Sequence, residues 1–265
     1  MRKWLNGFVS VTACLAIHLT VSAQNDFLPS VSSYHCNSSF GGFYLGVHGG
    51  FIGYEAIANE LPPAYFDAGA FTPTETYETL QAIDPSWEAG LQIGYDWIYD
   101  GRFFGLIADW AWSESQAQLL KASTLFIMPL ANPVPFTAEA SRRMQWFSTF
   151  RARGGLNLVD SLVYITGGAA IAEFKTLISG GFSAAGFDTT PHHFHQHLWG
   201  WTVGLGMEHA FWQKLSVCIE LLYLSFDTKK LSFSADFPDA ANAFFFDFSD
   251  NGWVGRLGVN YHFAL

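Results

Sequence analysis

Trp199-Gly200-Trp201-Thr202-Val203-Gly204-Leu205-Gly206-Met207-Glu208 sets Trp, Trp, Val, Leu and Met on alternate positions, with Gly, Thr, Gly, Gly and Glu between them. Successive side chains leave a β-strand on opposite sides, so a period of two describes a strand with one apolar face. No helical pattern follows Gly204 and Gly206, so they do not form a nucleotide-binding loop. The same pattern closes the chain, with Leu257, Val259, Tyr261 and Phe263 alternating with Arg256, Gly258, Asn260 and His262.

Working outward from these two stretches, the pattern recurs until eight segments of about ten residues are counted. Phe43, Leu45, Val47 and Phe51 oppose Tyr44, Gly46, His48 and Gly50, and Ala89, Leu91, Ile93, Tyr95 and Trp97 oppose Gly90, Gln92, Gly94 and Asp96. Phe104, Leu106, Ala108, Trp110 and Trp112 oppose Gly105, Ile107, Asp109 and Ala111, and Trp146, Phe150 and Ala152 oppose Phe147, Thr149, Arg151 and Arg153. Leu215, Val217, Ile219, Leu221 and Tyr223 oppose Ser216, Cys218, Glu220 and Leu222. The fifth segment, 162–172, is apolar on both faces and its phase is not set by sequence.

Composition agrees with a membrane protein that lacks membrane helices. Of 265 residues, 50% are apolar, 17% aromatic and only 14% charged, against roughly 25% charged in ordinary soluble domains. This excludes a disordered chain. With 23 acids against 13 bases, a nucleic-acid partner is not expected. The one uncharged run long enough for a spanning helix is at the N-terminus, residues 4–21, behind Arg2 and Lys3 and ahead of Val21-Ser22-Ala23. It reads as a cleaved secretory signal over residues 1–23. The alternatives are an uncleaved anchor, or lipidation at Cys14, where Val11-Thr12-Ala13-Cys14 loosely fits a lipobox behind a very short leader. Cleavage leaves 11 bases against 23 acids, a net charge of −12. Cys36 and Cys218 then remain; they can form one bridge in an oxidising compartment, or Cys218 can stay a small buried hydrophobe.

The connections alternate in length: 54–87, 114–143, 176–197 and 227–251 are long, whereas 99–101, 157–160 and 211–213 are short. Bacterial outer-membrane barrels alternate in this way, with short periplasmic turns and longer external loops. The expected fold is therefore all-β: an eight-stranded antiparallel up-and-down transmembrane β-barrel with both termini on the periplasmic side. Residues 24–40 read as a periplasmic lead-in and 41–265 as the barrel.

Gly42-Phe43-Tyr44-Leu45-Gly46-Val47, Gln92-Ile93-Gly94-Tyr95, the sixth segment from Gly200 to Gly206, Glu220-Leu221-Leu222-Tyr223 and the last segment resemble the small outer-membrane β-barrel family. That family includes opacity-type surface antigens and is similar to the membrane domain of outer membrane protein A. The resemblance implies residence in the outer membrane of a Gram-negative bacterium and insertion by the outer-membrane assembly machinery. Leu257, Val259, Tyr261 and Phe263 would be the C-terminal assembly signal, although Ala264 and Leu265 extend past the usual terminal aromatic.

Asp109, Arg151, Arg153, Glu208, Glu220 and Arg256 fall on the face opposite the apolar rows, with Asp96 and His48 in the same phase. Opposite charges facing one narrow lumen read as a structural ion-pair network, and proton or ion passage through it is the sharper alternative. His192, His193, His195 and His197 are the one metal-like cluster, and hydrated loop histidines are the favoured reading, because no carboxylate or Cys lies close by except Asp188. No catalytic residue, cofactor or metal site is assigned, since nothing orders Ser, His and Asp into a triad. The first long connection carries Glu55, Glu60, Asp67, Glu75, Glu78 and Asp84 without Lys or Arg. The second carries Leu119-Leu120 and Leu125-Phe126-Ile127-Met128, and the fourth carries Phe244-Phe245-Phe246, which can extend the last two strands above the membrane.

The expected function is a non-enzymatic surface protein that supports the envelope and presents loops for binding or adhesion to host or envelope partners. A narrow porin-like channel and a lipid-modifying barrel enzyme are the alternatives, and a soluble ligand-binding barrel is the alternative fold. Outer-membrane lipid is the expected surrounding partner.

Overall fold

The computed structural model describes residues 40–61, 79–126, 133–158, 160–182, 187–188, 192–234 and 243–263. The signal region 1–23, Cys14, Cys36, Asp67, Glu75, Glu78, Ile127 and Met128 lie outside the described residues.

The strands are β1 (Gly42–Leu61), β2 (Thr79–Tyr99), β3 (Arg102–Phe126), β4 (Pro133–Leu158), β5 (Ser161–Phe182), β6 (Phe187–Asp188), β7 (His192–Trp212), β8 (Leu215–Ser234) and β9 (Ala243–His262). Eight are long, and β6 is a two-residue strand paired to the outer end of β5. Every neighbouring pair is antiparallel. The order β4-β3-β2-β1-β9-β8-β7-β5 is closed by the β4–β5 pairing, so the ring has no edge up to the level where the β2–β3 and β7–β8 pairings stop, at Ser113 and Gly200. The first strand meets the last where Val47 faces Val259 and the Phe263 N–H donates to the Phe43 carbonyl at 2.8 Å.

The apolar rows point outward. Phe51 is 73% exposed, Trp199 63% and Leu205 60%, whereas the intervening Tyr44, His48, Thr202, Glu208 and Arg256 are buried. An apolar exterior over a polar interior inverts a soluble barrel and needs lipid as its surroundings. The fifth segment now has a phase, with Val163 and Ile165 outward and Leu162, Tyr164 and Thr166 inward.

Two aromatic belts bound the exterior. The lower one includes Phe43, Tyr95, Trp97, Phe104, Tyr261 and Phe263, with the Phe43 and Tyr95 rings 4.6 Å apart. The upper one includes Phe51, Trp87, Trp112, Trp146, Trp199, Trp201 and Trp253, with Tyr223 packed between Trp201 and Trp253. About ten residues separate Trp87 from Trp97, which at ~3.4 Å per residue and a tilt near 40° gives a height of about 25 Å. That matches the hydrocarbon band of an outer-membrane barrel, with aromatic rings at the water interface.

The strands are 20–26 residues long rather than about ten, and this corrects the sequence reading. Most of what reads as long loop is paired strand, including Leu119, Leu120, Leu125 and Phe126 in β3 and Phe244 to Phe246 in β9. Above the upper belt both faces of the wall leave lipid. The apolar alternation that marks the lower half is then no longer required, although the backbone continues to pair.

At the periplasmic end, Asp100 and Gly101 join β2 to β3 with φ of 48° and 72°, the two-residue turn that matches strand twist. An added Cβ at Gly101 meets nothing within 4 Å, so its demand is purely conformational. Gly101→Val is expected to cost about 1–2 kcal/mol, seen as a lower urea midpoint of tryptophan fluorescence in micelles. Leu205→Arg, on the lipid face near mid-height, is expected to cost about 2–4 kcal/mol in the same measurement.

Candidate functional site

The inward faces of the lower half converge on two ionic clusters. In the first, Arg153 on β4 donates from Nε and Nη2 to the two oxygens of Asp96 on β2, at 3.0 and 2.5 Å, and from Nη1 to Glu208 on β7 at 3.0 Å. Glu208 also accepts from Asn260 at 2.7 Å and Ser216 at 2.5 Å, and lies 3.0 Å from His262 Nε2. The Arg153 guanidinium sits over the rings of Tyr44 and Tyr164, 4.5 and 5.1 Å from their centroids. These are cation–π contacts in a desolvated site.

In the second cluster, one oxygen of Asp109 on β3 accepts from Thr149 and Arg151 at 2.7 Å each and from Arg256 at 2.9 Å. Glu220 on β8 accepts from Arg256 Nη2 at 2.6 Å and Nε at 2.8 Å, and from Arg151 Nη2 at 3.3 Å. His48, 3.1 Å from Glu88, approaches the other side of Arg256. Tyr164 joins the clusters, with its ring against Arg153 and its hydroxyl donating to Glu220 at 2.9 Å. All six charges read from the sequence thus sit in one lumen, along with Asp96 and His48.

The clusters are sealed on both sides. Phe40, Phe103, Leu162 and Tyr164 pack as one apolar group at the periplasmic end. On the outer side, the next inward positions hold Ile52, Phe147, Leu198, Leu222, Leu224 and Val254, all fully buried in one apolar layer. Phe147 succeeds Thr149, Leu222 succeeds Glu220 and Val254 succeeds Arg256, so hydrocarbon lies directly above the ionic groups. Glycines on neighbouring strands make room for the larger side chains. A Cβ on Gly94 would fall 2.2 Å from the Tyr44 hydroxyl, and one on Gly206 would fall 2.5 Å from the Tyr164 ring.

A third buried pair sits within this apolar layer. Arg142 on β4 donates from Nε and Nη2 to the two oxygens of Asp250 on β9, at 2.8 and 2.6 Å, and from Nη1 to Thr176 at 2.7 Å. The Tyr54 hydroxyl also donates to Asp250. Asp250, Glu88, Asn260 and His262 lie in phase with inward residues already singled out, so the period alone could have found them. Arg142 could not be found that way, because Gln145 has no partner on β5: Met144 faces Phe174 and Trp146 faces Glu173. This bulge shifts the phase of β4, so that Arg142 is buried and Arg143 exposed.

Among the described residues, the other side chains single out no reaction centre. Ser216 and Glu208 both approach His262 at Nε2, at 3.0 Å each, and Nδ1 has no partner among the described residues. A catalytic triad uses both ring nitrogens in sequence, so this is a buried hydrogen-bond node. Cys218 is a buried free thiol in the lumen. His193, His195 and His197 lie on the outer wall, and among the described residues no group of three or more His, Cys, Asp or Glu is placed to hold a metal ion.

The model of a family described as an outer membrane protein beta-barrel domain matches residues 11–263. The 31 kDa outer-membrane immunogenic protein of Brucella melitensis is 26% identical over 260 residues, covering 95% of this chain and 94% of that protein, and the Brucella suis protein gives the same figures. Among solved structures, the outer membrane protein OprG of Pseudomonas aeruginosa aligns at 13% identity over 86% of this chain and 99% of its own, with a TM-score of 0.43. The outer membrane protease OmpT of Escherichia coli aligns at 8% identity over 88% of this chain and 99% of its own, with a TM-score of 0.45. Likenesses this weak carry nothing about activity.

Arg256→Met leaves Glu220 buried with the Tyr164 hydroxyl and only the longer of its arginine contacts, those from Arg151, and is expected to cost about 3–5 kcal/mol. The urea midpoint in micelles measures this, and adding Glu220→Leu should restore part of the loss.

Proposed function

Because the chain belongs to the outer membrane protein β-barrel domain family, we propose a non-enzymatic surface role in which the filled barrel supports the envelope and its outer hairpins bind host or envelope partners. The carrying observation is the length of paired strand beyond the upper belt. From Trp112 to Phe126, β3 continues for fourteen residues, and β4 accompanies it from Pro133 to Trp146. At ~3.4 Å per residue and a tilt near 40°, this wall rises about 35 Å above the belt. Pairing of β3 with β4 and of β4 with β5 gives this part of the wall a hydrogen-bonded support, which limits the ordering cost of binding. That the Brucella relative is named an immunogenic outer-membrane protein supports a surface exposed to a host.

The lumen supports the structural half of this reading. Three arginines and their carboxylates are neutralised in place, with an apolar layer directly above them, which suits cross-bracing better than conduction. The outward row Leu257, Val259 and Tyr261 on β9, continued by Phe263 just past its end, stops at the periplasmic belt, in keeping with a signal read by the assembly machinery.

Deleting residues 121–138 from the β3–β4 hairpin is expected to abolish attachment of expressing cells to host-cell layers while heat-modifiable gel mobility persists. Attachment that survives this deletion and the matching truncation of each other outer hairpin would overturn the adhesion reading. In planar bilayers the wild-type barrel, and Arg256→Met with Glu220→Leu, should show the same absence of single-channel steps. A change in conductance in the double variant would favour the narrow channel.

A further inference from the structure

The bulge at Gln145 turns Arg143 out of the barrel, and register sets it beside two further basic side chains. Arg143 on β4 faces Lys175 on β5, and Lys175 faces His195 on β7, so the three form one outward row across adjacent strands. Neighbouring strands are about 4.8 Å apart, so the Arg143 and Lys175 head groups can reach one tetrahedral anion. Arg143 is exposed and held by Nη2 donating to Gln116 Oε1 at 2.8 Å. His195 is exposed, 3.6 Å from Glu173, which also accepts from Trp146 Nε1 at 2.5 Å.

Height decides what this row meets. Trp146 faces Glu173 and Glu173 faces His197, which places that level in the upper aromatic belt. Arg143 stands one outward-facing position above Trp146, about 5 Å along the barrel axis, and His195 two such positions above Trp199, about 10 Å, with Lys175 between them in the row. A belt of tryptophans marks the boundary of the hydrocarbon, so the level above it is that of the lipid headgroups. The row is also confined to one side. At the corresponding level on β1, β9 and β8 the outward residues are Glu55, Asn251 and Ser225, with Asp227 exposed above. Among residues with described side chains, Arg143 and Lys175 are the only outward-facing lysine or arginine on the outer half of the wall. In a chain carrying 23 acids against 13 bases, such grouping at headgroup depth is selective.

We infer that Arg143, Lys175 and His195 form a binding site for the phosphate of an outer-leaflet lipid headgroup, with Trp146 packing against the chains below it. Guanidinium and ammonium on adjacent strands supply charge-assisted hydrogen bonds to phosphate oxygens. Glu173 beneath them engages Trp146 and approaches His195, fixing the floor of the site.

The test uses the full barrel refolded in a neutral detergent, titrated with diphosphoryl lipid A and read by native mass spectrometry. Binding of diphosphoryl lipid A is expected to weaken about tenfold or more in Arg143→Gln with Lys175→Gln, with heat-modifiable mobility unchanged. Lys214→Gln, at the exposed periplasmic turn, removes the same kind of charge and should leave binding unchanged. Lipid A stripped of both phosphates should bind wild type as weakly as the double variant binds the diphosphoryl form. Equal binding of the stripped lipid, or an equal loss in Lys214→Gln, would overturn the site. Displacement by equimolar inorganic phosphate would assign it to the free anion and overturn the lipid assignment. Should the double variant fail to fold, wild type against the two lipid forms decides the same question.

Discussion

A strand in hydrocarbon has no water to satisfy its N–H and C=O groups, so each must find a partner on a neighbouring strand. The β1–β9 pairing satisfies this condition where an open up-and-down sheet would end, joining its two edge strands. Eight strands meet it with a lumen just wide enough for side chains. The sheet also sorts residues by period. One face of each strand meets lipid and must be apolar, and the other meets seven similar faces in a space that excludes bulk water. The low charge and high aromatic content of the chain both follow from this geometry.

The narrow lumen controls which charges it can contain. Glu88, Asp96, Asp109, Glu208, Glu220 and Asp250 are all buried, and they meet Arg142, Arg151, Arg153 and Arg256 together with His48 and His262. Removing two charges from water costs several kcal/mol each, and only near-complete hydrogen bonding offsets it. Arg153 meets that requirement with two carboxylates and two tyrosine faces, and Arg256 with Asp109 and Glu220. Because the partners come from β2, β3, β4, β7, β8 and β9, the clusters tie together strands that are not neighbours. The fully buried Ile52, Phe147 and Leu222 then separate this layer from the Arg142–Asp250 pair within the outer half.

Beyond the upper belt the constraint changes. Backbone pairing persists through β3 and β4 to Phe126 and Pro133, but lipid no longer touches the wall. Residues there are free to serve contacts other than insertion. At the boundary itself both influences overlap: Trp146 and Trp199 belong to the belt, while Arg143 and Lys175 stand one step above it. The same bulge thus gives one arginine to the interior and its neighbour to the outside.

The count of eight membrane-crossing strands, the identity of the lipid face and the inward placement of Asp109, Arg151, Arg153, Glu208, Glu220 and Arg256 could all be read from the sequence. Each of these residues lies an unbroken number of alternations from a row of Trp, Phe, Leu or Val, and side-chain direction along a regular strand is a local covalent property. The strands' full length could not be read, since outside lipid no solvent difference imposes the alternation. Nor could the identity of partners, because Asp96 finding Arg153, or Asp250 finding Arg142, depends on registers set by all eight strands together. Counting by twos from Arg151 would place Arg143 inside the barrel. Only the extra residue at Gln145, accommodated between β3 and β5, reverses the pair, because a bulge is held by the fit of both neighbouring strands and not by the strand that contains it.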